Sequence, residues 1–400
     1  MTGTAMNTSA AASGPLGRVK KVFWIVGAAL FAIGLVGVWD RLHNGHRGAA
    51  YNNVVVWGQW VANYIFFSGL SAGAYLFSTF VHVFKVMRFE RVARLAIFTA
   101  FVTLLLALVS IAVDLGHMER AWEVMVYANF RSPMAWMIYL YALYLLVLVA
   151  QLWFMVRRRD GSEASASRDR QIVRRLAFVG LPVAILFNGG VGALFGTVAA
   201  RPFWNSGLFP ILFLVSALVS GGAVLTVASA IFQDGLDRNR EVVLDLGRLV
   251  LKLLAFDVLF QVSEILVASR SGIPGHLEPL ELMLSGPYAA VFWVVQLGIG
   301  VVVPVLLLVG PSRRNPVAVA LACACVTLGI YGLRLNIVIP GLGTEELHGL
   351  LQAVSTPRIT ASYFPSATEW LLSMAVLGFG FLLFGAGEQL LPKDTLANEE

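Results

Sequence analysis

The stretch Leu246–Val267, LGRLVLKLLAFDVLFQVSEILV, is apolar enough to cross a bilayer, yet it carries Lys252, Asp257 and Glu264. A charge at the centre of a transmembrane helix costs roughly 2.5–3.5 kcal/mol on insertion scales, so charges in such a span need a reason. Asp257, Gln261 and Glu264 follow i, i+4, i+7 spacing, which makes them one polar stripe on one helix face. Lipid offers that stripe no partners, so it must face a bundle interior or a wet cavity. Two readings follow. The stripe is either a structural ion pair buried between helices or a path for protons or substrate.

The rest of the chain has the same character. Its 400 residues are 58% hydrophobic and 13% charged, with mean hydropathy +0.77, a composition that excludes a soluble domain. Ten apolar runs are long enough to span: Val22–Trp39, Gly58–Phe84, Leu95–Val113, Met134–Met155, Leu176–Val198, Leu208–Phe232, Leu246–Val267, Pro287–Val309, Pro316–Ile339 and Thr368–Phe384. The first lacks a small-residue cleavage site before His43 and His46, so it reads as a retained span rather than a signal peptide. The fold class expected is an all-α polytopic membrane protein.

The loops then give orientation. Alternate connections, from Arg18, Lys20 and Lys21 through Lys85–Arg94, Arg157–Arg175, Arg238–Arg248 and Arg313/Arg314 to Lys393, hold 20 basic residues, against seven on the other side. Basic residues stay on the cytoplasmic side, so both termini are expected there, in a bacterial inner membrane. The net charge of +6 therefore reports topology and not nucleic-acid binding. The 160–170 segment reads as a solvated linker. The outer loops 268–286 and 340–367 are long enough to cover a site or dock a partner.

A weak internal repeat relates Ser71-Ala-Gly-Ala-Tyr-Leu76 to Ser220-Gly-Gly-Ala-Val-Leu225, and at nearly the same offset Asp114 to Glu264 and Pro133 to Pro287. An even number of helices separates the copies, so the halves point the same way. Two four-helix bundles plus two additional helices is the expected architecture. The corresponding division is a tail (1–21), a first helix and outer loop (22–56), bundles at 57–200 and 201–340, and a final loop, helix and tail (341–400).

Cys323 and Cys325 lie two apart in an apolar run and point to nearly opposite faces, so core packing suffices for both. Among the six histidines, no two are placed to face each other at equal depth within helices, as haem ligation would require, so neither haem nor a metal is expected. The polar groups that enter the membrane gather instead near the outer face. They are Asp114 and His117 ending the third span, Glu264 in the seventh, Arg334 in the ninth, Asn188 in the fifth, and Tyr64 behind Trp57 and Trp60. The two tryptophans alone are an interfacial belt, His117 alone a solvated loop residue, and Asn188 alone a backbone partner. Together they suit a quinone head group, which needs flat apolar walls, hydrogen-bond donors and nearby proton acceptors. Arg334 needs a carboxylate, and Glu264 or Asp114 is at matching depth. The stripe Glu264–Gln261–Asp257, continued to Lys252, would carry protons inward.

Those residues sit in motifs that resemble a family. Trp57-Gly58, Phe67-Ser-Gly-Leu-Ser-Ala-Gly73, Asp114-Leu-Gly116, Arg131-Ser-Pro-Met-Ala-Trp136, Arg201-Pro-Phe-Trp-Asn205, Leu214-Val-Ser-Ala-Leu-Val-Ser-Gly221, Arg334-Leu-Asn336 and Tyr363-Phe-Pro-Ser366 with Glu369 resemble NrfD-like membrane subunits over about Trp57 to Phe384. The resemblance implies two four-helix bundles, no haem, and a menaquinone or ubiquinone site near the outer face, to which the matching motifs carry over Asp114, Trp204 and Arg334. It also implies an iron–sulfur subunit docked there and a separate catalytic subunit, such as a molybdopterin enzyme or hydrogenase. Tyr64 stands where the polysulfide reductase anchor has a histidine at its quinone. The rival reading is a secondary transporter with a parallel repeat and a buried charged pathway.

Overall fold

A computed structural model describes residues 15–82, 90–157, 163–232, 235–345, 349, 353 and 359–390. Residues 85–89 of the expected basic loop Lys85–Arg94 lie outside them, as do Arg158, Arg159, His348, Arg358 and Lys393. Among the described residues there is no strand, and ten long helices carry the fold. They are α1 (Pro15–Asn44), α2 (Gln59–His82), α3 (Glu90–Asp114), α4 (Pro133–Arg157), α5 (Glu163–Gly196), α6 (Phe209–Ile231), α7 (Gly235–Arg270), α8 (Val291–Val309), α9 (Pro316–Leu342) and α10 (Ala367–Leu390). The chain is an all-α polytopic membrane protein.

Eight of these helices are long and apolar enough to cross a membrane. The other two are α2 and α7. They are no shorter, but α2 is diluted by small and polar residues and α7 by charge. Both are packed among the apolar helices: α2 against α3, α5, α6 and α9, and α7 against α6, α8 and α9. Helix α2 is buried on most sides, whereas α7 turns Asp257 inward and leaves Phe256, Leu259 and Leu266 exposed; inward faces tolerate the polar groups that lipid-facing ones exclude.

Helices α2–α5 pack together, α6–α9 pack together, and α1 lies along α10 as a separate pair whose second member also touches α2 and α3. The two copies of the repeat meet where α2 crosses α6. A Cβ on Gly73 would lie 1.8 Å from the Ala217 carbonyl oxygen, and one on Gly221 would lie 2.3 Å from the Gly73 carbonyl carbon. The small residues that made the repeat visible are thus the residues that let the two bundles touch backbone to backbone.

Local chemistry sets the ends. Pro133 opens α4, where its missing N–H is no loss, and Asn315 caps α9 by accepting from Val317 N at 3.0 Å. Ser366 and Glu369 form a reciprocal capping box on α10, Glu369 N donating to Ser366 Oγ at 3.3 Å and Ser366 N to Glu369 Oε2 at 2.9 Å. Two connections differ from the sequence reading. The 160–170 linker is helical from Glu163, because its Ala, Glu and Arg content favours helix over coil. The outer loop 268–286 contains a helix, Pro274–Leu284, again opened by proline.

Helix α8 is wound as a π-helix over Val291–Val302 before resuming α geometry at Val303. Pro304 removes a donor and crowds the carbonyl four residues back, and a wider turn relieves both. At that point α8 presses on α9, where a Cβ on Gly300 would meet the Gly329 Cα at 2.5 Å.

Candidate functional site: a polar chain and a ring-sized cavity in the second bundle

The stripe on α7 faces the interior. Asp257 is completely buried, while Lys252, off the row, is exposed. From Asp257 a chain of side-chain amides crosses the bundle. Gln261 Nε2 donates to Asp257 Oδ2 at 2.6 Å, Gln296 Nε2 of α8 donates to Gln261 Oε1 at 2.8 Å, and Asn336 Nδ2 of α9 donates to Gln296 Oε1 at 2.7 Å. One turn further out, Glu264 accepts from the Ser206 hydroxyl at 2.6 Å.

Gln261, Glu264, Gln296, Asn336 and Ser206 line a cavity of about 170 Å³ at the ends of α7, α8 and α9 that the basic-residue bias assigns to the outer side, beside the α5–α6 connection and the Pro274–Leu284 helix. Its walls are Phe203, Phe209, Leu212, Ile265, Leu280, Met283, Leu333 and Ile337, and its polar side is Gln261, Glu264, Gln296, Asn336, Asn205, Ser206 and His276. A few polar groups on an otherwise apolar concave surface is the usual make-up of a small-molecule site.

Arg334 lies behind this cavity with no solvent exposure. Its guanidinium sits 4.3 Å from the centre of the Phe213 ring and one terminal nitrogen donates to the Ser216 hydroxyl. Its nearest carboxylate influence is Asp257, and not Glu264 or Asp114 as depth along the sequence suggested. No direct hydrogen bond joins the two: Nε and Nη1 of Arg334 and Oδ1 of Asp257 are buried without partners. Opposite charges held apart inside a bundle stabilise one another through the low dielectric, and each is costly without the other.

The residues expected around one head group fall in three places. Trp204, Asn188 and Arg334 converge behind the cavity wall. Trp204 Nε1 donates to the Ile337 carbonyl at 2.7 Å, Asn188 Nδ2 to the Phe213 carbonyl at 2.8 Å, and Trp57 stacks on Trp204 at 6.0 Å between centroids. Trp60, Tyr64 and Asp114 belong to the first bundle. His117 joins neither group; it is exposed and pairs with Glu119 at 3.0 Å.

The outer end of the first bundle is a filled polar network. Tyr51 donates to Asp114 at 2.7 Å, and Arg41 of α1 donates to the Val113 and Leu115 carbonyls at 2.7 and 2.6 Å. Glu369 of α10 is fully buried, accepting from Tyr363 Oη, from Ala50 N at 2.9 Å and from Ser366 N. Burial, reinforced by the Asp114 carboxylate, holds the Tyr51 hydroxyl well above its usual pKa range, and burial with Glu369 does the same for Tyr363. Both phenols are therefore fixed as donors. Trp60 completes the network, its ring 5.6 Å from Tyr51 and its Nε1 donating to the Glu369 carbonyl at 3.3 Å. Tyr64 lies deeper, its ring 5.8 Å from Tyr141.

Sequence reasoning missed Gln296, Ser206, Tyr51 and Arg41 as members of these clusters. Gln296 carried a signal, being the one strongly polar side chain between Val291 and Val309. The others depend on register between distant helices.

Comparison with known proteins agrees with this architecture. The polysulphide reductase NrfD family model matches residues 48–345. A selenate reductase subunit of Mesobacillus selenatarsenatis is 32% identical, covering 94% of each chain. The Hdr-like menaquinol oxidoreductase integral membrane subunit of Archaeoglobus fulgidus is 26% identical over 92% of this chain and 91% of its own. A polysulfide reductase polypeptide of Wolinella succinogenes is 24% identical over 72% of this chain and 95% of its own. With nearly three quarters of its length inside the family model and relatives aligned from end to end, this chain belongs to the polysulphide reductase NrfD family of membrane proteins.

Proposed function

We propose that this chain is the quinone-reactive membrane subunit of a respiratory oxidoreductase. It exchanges electrons between menaquinone or ubiquinone and an iron–sulfur subunit docked at the non-cytoplasmic face, beside a separate catalytic subunit. The relatives named above belong to selenate and polysulfide reductases and to a menaquinol oxidoreductase, which supports the reading. The excess of basic residues on alternate connections supports cytoplasmic termini in an inner membrane.

The observation that carries the proposal is the cavity. At about 170 Å³ it matches one six-membered ring, given that an apolar cavity of roughly 150 Å³ holds benzene. Apolar walls suit the ring faces, and the amides of Gln261, Gln296 and Asn336 suit its oxygens. A quinol supplies two electrons and two protons when it is oxidised. Glu264, on the cavity wall and held by Ser206, is the proton acceptor at the mouth. Gln261 links the wall to Asp257, so the stripe Glu264–Gln261–Asp257 leads protons inward to the Asp257 carboxylate, whose charge Arg334 balances. Trp204 and Asn188 position the backbone behind Ile337 and Phe213 and so hold the wall in place.

The test is purification of the complex from its native membrane. Co-purifying menaquinone or ubiquinone together with an iron–sulfur protein is the expected result. A chain that isolates without either and drives solute uptake in sealed vesicles would favour the transporter reading.

A further inference from the structure

Lys252 is left over from the polar stripe on α7. It lies off the row of Asp257, Gln261 and Glu264, it is exposed, and nothing pairs with it among the described residues. Its neighbours along the helix show what it meets. Phe256, Leu259, Val262 and Leu266 are exposed as well, an apolar face of the kind a membrane helix turns to lipid. The hydrocarbon core takes about twenty helical residues, and counting that many back from Val267 ends at Arg248. Lys252 is therefore one turn, about 5 Å, inside the boundary. Its stem is long enough to carry the ammonium back to the headgroup level, beside Arg248.

Helical geometry gathers more charge at this corner. Gly247 faces the neighbouring helices, where a Cβ would meet Val319 of α9 at 2.3 Å and Leu308 of α8 at 3.6 Å. At about 100° per residue, Arg248 and Lys252 turn from that contact to the bilayer side, and Arg240, about two turns earlier, comes back beneath it. There Arg240 donates to the Arg314 carbonyl at 3.5 Å, in the short turn Pro311–Arg314 that joins α8 to α9. Arg240, Arg248, Lys252, Arg313 and Arg314 are all exposed, and the acids beside them on α7 are Glu241 and Asp245. Asp245 accepts from Arg248 Nη1 at 2.9 Å. The Arg248 side chain is still 68% exposed, and a guanidinium has five donors, so it keeps several to offer.

We propose that Arg248 and Lys252, with Arg240, Arg313 and Arg314 at the rim, bind the phosphodiester of an anionic phospholipid whose acyl chains run along Phe256 and Leu259. The site lies at the end of α7 that the excess of basic residues assigns to the cytoplasm, and it does not depend on where a quinone binds. Depth selects the occupant. A soluble acidic protein does not reach an ammonium a turn below the boundary, whereas a lipid phosphate already sits at that level. Charge selects the lipid. The cations outnumber the acids at this corner, and a zwitterionic headgroup, which brings its own ammonium, does not neutralise the excess.

Native mass spectrometry of the full chain in detergent, titrated with single lipids, tests the site. The probes are phosphatidylglycerol and phosphatidylcholine with the same acyl chains. Wild type should bind the first phosphatidylglycerol more tightly than phosphatidylcholine. Lys252→Leu should weaken that binding by about fivefold, the worth of one basic residue near an anionic headgroup. The leucine extends the apolar face of α7, so the thermal midpoint without added lipid should be that of wild type. Lys252→Arg should keep the affinity, and Arg248→Gln should lose as much as Lys252→Leu, which gives a second reading should the leucine variant fail to fold. Arg270→Gln, at the other end of the same helix, should change nothing. Wild-type affinity in Lys252→Leu or Arg248→Gln overturns the site. So does a loss in Arg270→Gln as large as theirs, which would report surface charge in general. Glycerophosphoglycerol, the same headgroup without acyl chains, should not compete at equal concentration; if it displaces the lipid, the site takes a soluble phosphodiester and the assignment to lipid fails.

Discussion

The outer ends of the two bundles are copies by the logic of the repeat, and they are finished differently. In the first, Asp114 is capped by Tyr51, Arg41 reaches across from α1, and Glu369 of α10 fills what remains. In the second, Glu264 stands at the corresponding position with Ser206 bonded to it and no other partner among the described residues, and a cavity opens beside it. The difference at this end is supplied by α1 and α10, which bring Arg41 and Glu369 to the first bundle, reach the second at the opposite end around Phe232, and lie outside the matched family region of residues 48–345. An acid closed in by donors is architecture. An acid facing a cavity is available for chemistry.

That contrast can be broken at several points. The largest effect is expected from Arg334→Ala, which strands Asp257 as an unpaired buried charge and should cost about 3–5 kcal/mol. The thermal midpoint of the solubilised protein reports it, and adding Asp257→Asn should recover most of the loss. If the single variant is as stable as wild type, the buried pair does not hold the second bundle together. Next comes Glu264→Gln, which should lower quinol-linked electron transfer by about 10²-fold, the low end of the loss on removing a general base, while the protein remains folded in the membrane. Glu369→Ala should do the opposite, costing about 1–3 kcal/mol of stability through its orphaned donors while the folded fraction turns over normally. A loss of turnover at unchanged stability would move the chemistry to the first bundle. The smallest effect belongs to His117→Ala. The side chain is exposed, so stability should stay within about 0.5 kcal/mol and electron transfer should be unchanged; impaired transfer would give this rim residue a role the structure does not show.

Much of this was legible in the chain. The ten long helices followed from hydropathy, eight of them long and apolar enough to cross a membrane, and the polar stripe on α7 announced an inward face before any packing was known. The small residues of the repeat marked where α2 and α6 touch, because close backbone approach leaves few residue types to choose from. Depth was less legible. Arg334 looked level with Glu264, but the register of α9 against α7 sets it near Asp257. The gathering of Trp57, Trp60, Tyr64, Asp114 and Trp204 at the outer end was visible, whereas their separation into a stack and a network was not. That separation depends on α1 and α10 inserting Arg41 and Glu369, and nothing in a linear sequence says which helices will be neighbours. The π-winding of α8 around Gln296 was equally hidden, although Pro304 marked the place.

The central claim is that the head group sits in the second bundle, and covalent labelling reaches it most directly. Membranes containing the intact complex are illuminated with a photoreactive azido-quinone, and the modified peptides are sequenced. Labels on Gln261–Ala268 or Leu333–Ile337, abolished by excess unlabelled quinone, are the predicted result. Protectable labels confined to the Tyr64 and Asp114 regions would contradict it.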